Sequence, residues 1–177
     1  TVHALKDISV AVEPGEFVAL MGPSGCGKST LLHLMGAMDR PSSGEIWLQE
    51  QPLHTFGEEM LTQIRRRRVG FVFQFFHLLP TFTVEENVAL PLLLGEGNHT
   101  SERVNEILDA VGLNHRRNAM PGQLSGGEMQ RTAIARALVH RPAVVIADEP
   151  TGNLDSENGD QVLHLLRQMS SRYQSAI

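Results

Sequence analysis

Apolar positions along the chain fall into two kinds of pattern. Leu5, Ile8, Val10 and Val12 stand mostly two residues apart, which predicts a half-buried strand ended by Pro14-Gly15. Phe17 to Met21, Val69 to Phe73 and Ala143 to Ala147 are short apolar runs, the pattern of strands covered on both faces. Glu45 to Gln49 predicts one more short strand after the turn at Pro41-Ser42-Ser43-Gly44. The other segments follow the helical period. Ser29 to Met38 carries Leu31, Leu34, Met35 and Met38 at that spacing, and Glu58 to Arg68 ends in four arginines that suit the negative end of a helix dipole. Thr83 to Leu94 predicts a helix kinked or restarted at Pro91. Ser101 to Val111 turns Val104, Ile107, Leu108 and Val111 to one face, with Gly112 as its stop. Ser125 to His140 ends before Pro142, and a last helix capped by Asp155 or Ser156 places Val162, Leu165, Leu166 and Met169 inward. Strands alternate with helices, which predicts a parallel α/β sheet carrying a helical insertion.

Composition narrows this picture. The chain has 177 residues, 41% hydrophobic and 20% charged, enough for one globular domain with a real core and unlike a disordered chain. A net charge of −5 argues against sequence-independent binding to nucleic acid, so Arg65 to Arg68 reads as a solvated helix end. One cysteine, Cys26, excludes an intramolecular disulfide and a cysteine zinc site, and suggests a reducing compartment. No apolar run approaches the roughly 20 residues of a membrane span; Val88 to Leu94 is short and interrupted by Pro91. The first residues lack the pattern of a secretory signal.

Three runs carry chemistry. Gly22-Pro23-Ser24-Gly25-Cys26-Gly27-Lys28-Ser29 has Gly22 and Gly27 with four residues between them, the second followed directly by Lys-Ser, between an apolar strand and a helix. A chance match in a chain this long is on the order of one in a hundred. Glycines let successive N–H groups curl around phosphate oxygens at the positive end of the following helix, Lys28 can reach the β- and γ-phosphates, and Ser29 can hold Mg2+. Ala143 to Ala147 delivers Asp148 and Glu149 at the carboxyl end of a strand, where parallel sheets bind ligands. Asp148 suits Mg2+, and Glu149 can polarise an attacking water. Leu124-Ser125-Gly126-Gly127-Glu128-Met129-Gln130 opens a helix with a good cap and two glycines that expose N–H groups, a second anion site.

These runs, with Gln74 after a buried strand and Asn153-Leu154-Asp155, stand in the order and rough spacing of the ATP-binding-cassette transporter ATPases, which the whole chain resembles. The resemblance implies a P-loop NTPase core with a mainly parallel sheet, an N-terminal antiparallel β portion and a helical signature subdomain, truncated at both ends. It implies one cassette over 1–177, with 1–74 and 142–177 as ATP-binding core and 75–141 as helical subdomain. ATP would be held by Gly22, Pro23, Ser24, Gly25, Cys26, Gly27, Lys28, Ser29 and Thr30, and Mg2+ by Ser29, Gln74 and Asp148. Glu149, Gln74 and Lys28 would be catalytic. Two cassettes would face each other head to tail, with Leu124, Ser125, Gly126, Gly127 and Glu128 of one acting on the partner's nucleotide. Asn153, Leu154 and Asp155 would cross that interface.

Membrane subunits would dock on Phe75 to Leu94 and the helix after it, placing the protein in the cytoplasm against the inner face of a bacterial inner membrane. Within the family, Val2-His3-Ala4-Leu5, Gly70 to Pro80, Glu86 to Pro91 and Asp148 to Asp155 resemble the lipoprotein-releasing and macrolide-export branch. The adenine-stacking aromatic and the γ-phosphate histidine of the family have no counterpart between Thr1 and Ile177, which implies a trimmed cassette; His140 and His164 do not take that place. Two other readings stand beside this one: a mechanical ATPase of the same fold acting in DNA repair or translation, and an ATP-binding regulatory module without turnover.

Overall fold

The structure, a computed structural model, describes residues 4–95 and 101–177; Val2 and His3 lie outside it. Its centre is a parallel pair, β3 (Val69–Phe73) and β4 (Val144–Asp148), in register from Val69 opposite Val144 to Phe73 opposite Asp148. Both faces of the pair are covered, as their unbroken apolar runs require. Val72 and Val145 enter a large core with α3 (Val84–Leu94), α4 (Ser101–Ala110), α5 (Gly126–Leu138) and α6 (Ser156–Tyr173). Val69 and Ile146 face a smaller core with Leu61 and Ile64 of α2 (Glu58–Arg68), and Leu32 and Met35 of α1 (Lys28–Met35) pack against it. The antiparallel portion is a short hairpin, β1 (Trp47–Leu48) with β2 (Gln51–Pro52).

The helices follow their local signals closely. Thr83 caps α3 through a reciprocal bond with Glu86, and the helix continues through Pro91 to Leu94 as one piece, neither restarted nor divided there. Asp155, not Ser156, caps α6, accepting from the Asn158 N–H at 2.9 Å. Among the described residues no helix is long and apolar enough to cross a membrane.

The predicted N-terminal strands are different. Leu5 to Val12 is irregular and mostly exposed, and Phe17 to Met21 is half-buried at its start and 91% exposed at Met21. The expected strand Glu45 to Gln49 shrinks to Trp47–Leu48. A strand exists only where a neighbour completes its ladder. Phe17 to Met21 has one such contact: Val18 N–H donates to Ile177 O at 2.7 Å, and Ile177 N–H to Glu16 O at 2.8 Å. Ala176 in turn joins β4, with Val145 N–H donating to its carbonyl. Beyond Val18 the segment borders a largely apolar cavity of about 570 Å3 that separates it from β4, so its apolar side chains have no second layer to meet.

Candidate functional site

The carboxyl ends of β3 and β4 set the site. Because Phe73 lies opposite Asp148, Gln74 and Glu149 are the next residues at the same end of the sheet. Glu149 has a φ of 47° and starts a turn closed by Gly152 N–H to Glu149 O at 3.0 Å, which leaves its side chain exposed. Gln74 is tied to that turn: Asn153 Nδ2 donates to Gln74 O at 2.9 Å, and Gln74 Nε2 lies 3.5 Å from Asn153 Oδ1. The two residues are 79 positions apart in sequence. Beneath them, the buried Gln130 of α5 donates through Nε2 to Pro150 O at 2.6 Å, fixing the helix to the turn after Glu149.

The glycine loop stands over β4. Ser29 Oγ donates to Asp148 Oδ1 at 3.3 Å, so the carboxylate end of β4 and the loop meet as their chemistry suggests. Gly27 adopts φ 96° as the residue before α1, and a Cβ there would lie 2.6 Å from Ala4 O, so only glycine fits. Lys28 Nζ donates to Gly22 O at 3.0 Å and Pro23 O at 2.9 Å. It therefore spans its own loop, with its charge held where a phosphate would lie between loop and helix. Cys26 is exposed in that loop, its Sγ 4.0 Å from Lys28 Nζ. The oxygens of Ser29 and Asp148 fit a hard divalent cation such as Mg2+, which keeps several waters and takes few protein ligands. Among the described residues no cluster of three or more His, Cys, Asp or Glu forms a metal cage, so nucleotide oxygens and water would complete such a shell.

The turn before α5 is built from its own side chains. Ser125 Oγ accepts from the Glu128 N–H at 3.2 Å, and Glu128 Oε2 accepts from the Ser125 N–H at 2.8 Å. With its oxygen accepting, the Ser125 hydroxyl keeps its proton to donate elsewhere. Glu128 also receives Arg116 Nε at 2.8 Å. The Ser125 N–H first, then the guanidinium, hold the Glu128 carboxyl down to about 2. Leu124 enters the large core and anchors the turn.

Only part of the predicted N–H display reaches the surface. Ser125 is exposed and Gly126 half-buried, but Gly127 is buried, with Asn158 Oδ1 2.7 Å from where its Cβ would stand. Glycine here permits a side chain of α6 to approach the backbone. Leu154 packs within 3.3 Å of the corresponding point on Gly126, so the Asn153 to Asp155 turn braces the α5 turn from one side. None of Leu124 to Glu128 lines the cavity that contains Lys28, Asp148 and Glu149.

Three residues of this region carry no local signal. Arg116 lies in a turn and meets Glu128 12 positions away. Asn87, fully buried in α3, takes the Leu79 N–H and donates to the carbonyls of Leu79, Phe82 and Thr83. Arg136 donates to Phe76 O at 2.7 Å and His77 O at 2.5 Å, holding the loop after Gln74 where Phe76 and His77 have φ of 56° and 48°. The Arg116 and Arg136 bonds join elements that meet only on folding, and Asn87 reaches back to the irregular loop before its own helix, so no helical or strand period announces them.

Comparison with known proteins matches this arrangement. The family model of the ABC transporter matches residues 5–152. A dimeric post-hydrolysis structure of the ATP-binding cassette MJ0796, bound to ADP and Pi, is similar at 41% identity and a TM-score of 0.85, covering 98% of this chain and 77% of that one. A second dimeric structure of MJ0796, described as a bacterial ABC transporter cassette, gives 42% identity and a TM-score of 0.84, covering 98% and 78%. With its glycine loop over Asp148 and its capped Leu-Ser-Gly-Gly turn in place, the chain belongs to the ABC transporter family and is one of its ATP-hydrolysing cassettes.

Proposed function

We infer that this cassette works as one of a head-to-tail pair, with two ATP molecules between the copies, and drives a membrane partner. The observation that carries this is the division of the site. Ser29 meets Asp148 at one end of the sheet, with Lys28 and Glu149 beside them, while the Ser125 turn, equally suited to an anion, is held instead by Arg116, Leu154 and Asn158. A second copy supplies that turn to the first copy's nucleotide, and the dimers seen for MJ0796 agree. In this reading 1–74 and 142–177 bind ATP, and 75–141 forms the helical part.

The residues then have definite tasks. The N–H groups of Gly22 to Thr30 orient the triphosphate, and Lys28 exchanges its two carbonyl acceptors for phosphate oxygens. Ser29 and Asp148, with Gln74, would hold Mg2+, which would supply positive charge against that building on the phosphates. Glu149 takes a proton from the attacking water, and Gln74, aimed by Asn153, positions that water. The partner's Ser125 donates its hydroxyl proton to the γ-phosphate. Asn153, Leu154 and Asp155 pass the state of one site to the other along the interface.

The membrane partner is read from the loop that Arg136 and Asn87 hold in shape. Phe75 is 67% exposed and Leu79 is exposed in the same loop; Leu93 and Leu94, at the last turn of α3, are exposed as well. Apolar side chains presented on a braced loop suit a cytoplasmic helix of a transporter subunit. The run from Gly70 to Pro80 favours a partner of the lipoprotein-releasing or macrolide-export kind at the inner face of a bacterial inner membrane.

Glu149→Gln tests the pairing. Hydrolysis is expected to fall about a thousandfold while ATP still drives the protein into a dimer of twice the mass. Full turnover in the variant removes Glu149 from the proton-accepting role, and a protein that stays monomeric in saturating ATP ends the two-copy reading.

A further inference from the structure

Glu128 is an acidic residue in the turn that would receive a phosphate. A carboxylate in the first turn of a helix satisfies the dipole, and for the same reason repels a second anion arriving there. Both its oxygens are engaged, Oε2 by the Ser125 N–H and Oε1 by Arg116 Nε, each at 2.8 Å. The Glu128 side chain is 12% exposed, so solvent screens its charge weakly. Arg116 is 43% exposed, reaching in from the short turn after Leu113. The bond to Ser125 leaves the carboxylate negative; the Arg116 guanidinium paired with it brings a compensating charge.

We propose that Arg116 is a charge-balancing and positioning residue of the Ser125 turn, cancelling Glu128 so that the start of α5 can receive the γ-phosphate of a nucleotide held by a second copy. The proposal rests on the two-copy reading above. It separates two contributions that the turn combines. Glu128 is needed for geometry, because its carboxylate holds the Ser125 N–H and its own N–H orients the Ser125 hydroxyl. Its charge is a burden that geometry brings with it, and Arg116 removes that burden from a distant position in the chain. A glutamine at 128 keeps a side-chain oxygen for the Ser125 N–H without the charge. The requirement for Arg116 should then vanish. A purely structural contact would behave in the opposite way, since losing Arg116 would loosen the turn whichever residue stands at 128.

The test measures ATP-driven dimerisation by sedimentation in the full chain carrying Glu149→Gln, so that hydrolysis does not intervene. Arg116→Met is expected to raise the ATP concentration for half-dimerisation about tenfold, the size expected for one unbalanced charge at a half-buried helix start. The deficit should shrink as salt rises. Adding Glu128→Gln to Arg116→Met should bring the value back to within about twofold of the parent. Arg116→Lys, which retains the charge, should stay close to the parent. A double variant as weak as Arg116→Met, with an unchanged melting temperature, overturns the proposal in favour of a structural contact. So does an Arg116→Met protein that dimerises like the parent. Should Arg116→Met fail to fold, Glu128→Gln alone decides: it is expected to lower the ATP requirement, and a raised requirement overturns the proposal. A parent that never dimerises overturns the two-copy reading and this inference with it, whereas a dimerising parent with insensitive variants overturns this inference alone.

Discussion

The turns that open α1 and α5 do the same thing for the backbone and are built in opposite ways. Each delivers N–H groups at a helix start. The α5 turn holds itself: a reciprocal cap, an ion pair and a core leucine satisfy it before any ligand arrives. The α1 turn has no side-chain cap, no acidic residue in its first turn and no buried residue in its helix. Its one strong polar feature is Lys28 folded onto two carbonyls of its own loop. Side-chain acceptors at a helix start are worth about 1 kcal/mol, and α1 omits them where an incoming phosphate would supply better ones. One turn is therefore preformed and the other has capping positions left open, which suits the proposed closing of a rigid surface on a nucleotide held by the α1 loop.

That contrast can be broken in graded steps. Lys28→Ala should have the largest effect, lowering nucleotide affinity about a hundredfold in a calorimetric titration. Stability should hardly change, because Lys28 supports no packed core. A loss below threefold would mean that the N–H groups hold the phosphates without it. Asn87→Ala should do the reverse. It strips four hydrogen bonds from the loop between Leu79 and Thr83 and should cost about 2 kcal/mol of stability in urea, with nucleotide affinity kept. An unchanged urea midpoint would show that water replaces the amide there.

The smallest effect sharpens the comparison by pH. His140, beyond α5, is half-buried, with Nε2 3.2 Å from Val69 O and a buried Nδ1 that has no partner among the described residues. Burial lowers its pKa, and the nearby Arg103 adds to this. The unfolded chain thus binds the proton first. Stability is complete above about 6.5 and declines as pH falls below that value. Glu128, held down to about 2, contributes its own acid loss only once pH falls below about 4.5. His140→Gln should therefore flatten the fall in urea midpoint between about pH 6.5 and 5.5, by up to about 1 kcal/mol. An identical slope in the variant would assign that fall to other groups.

Local chemistry made much of the molecule readable. Val69–Phe73 and Glu58–Arg68 begin and end where their residues indicate, and Ser125 caps its helix because capping involves only the next three residues. The phosphate loop was readable for the same reason, as a run whose glycines and lysine act on one ligand. Leu5 to Val12 and Phe17 to Met21 have equally good strand patterns and do not form strands. Alternation states which face is apolar; whether hydrogen bonds form depends on a neighbour the pattern cannot name.

The residues alone therefore determined that the helices and the two central strands form, that Ser125 caps α5, and the chemical character of both glycine-bearing turns, because each is decided within a few positions of itself. Tertiary structure decided that Phe73 stands opposite Asp148, that Asn153 aims Gln74, that Asn158 covers Gly127 and that Arg116 answers Glu128. Those pairings join residues from 12 to 79 positions apart, a separation at which a side chain's partner is set by how helices and strands pack.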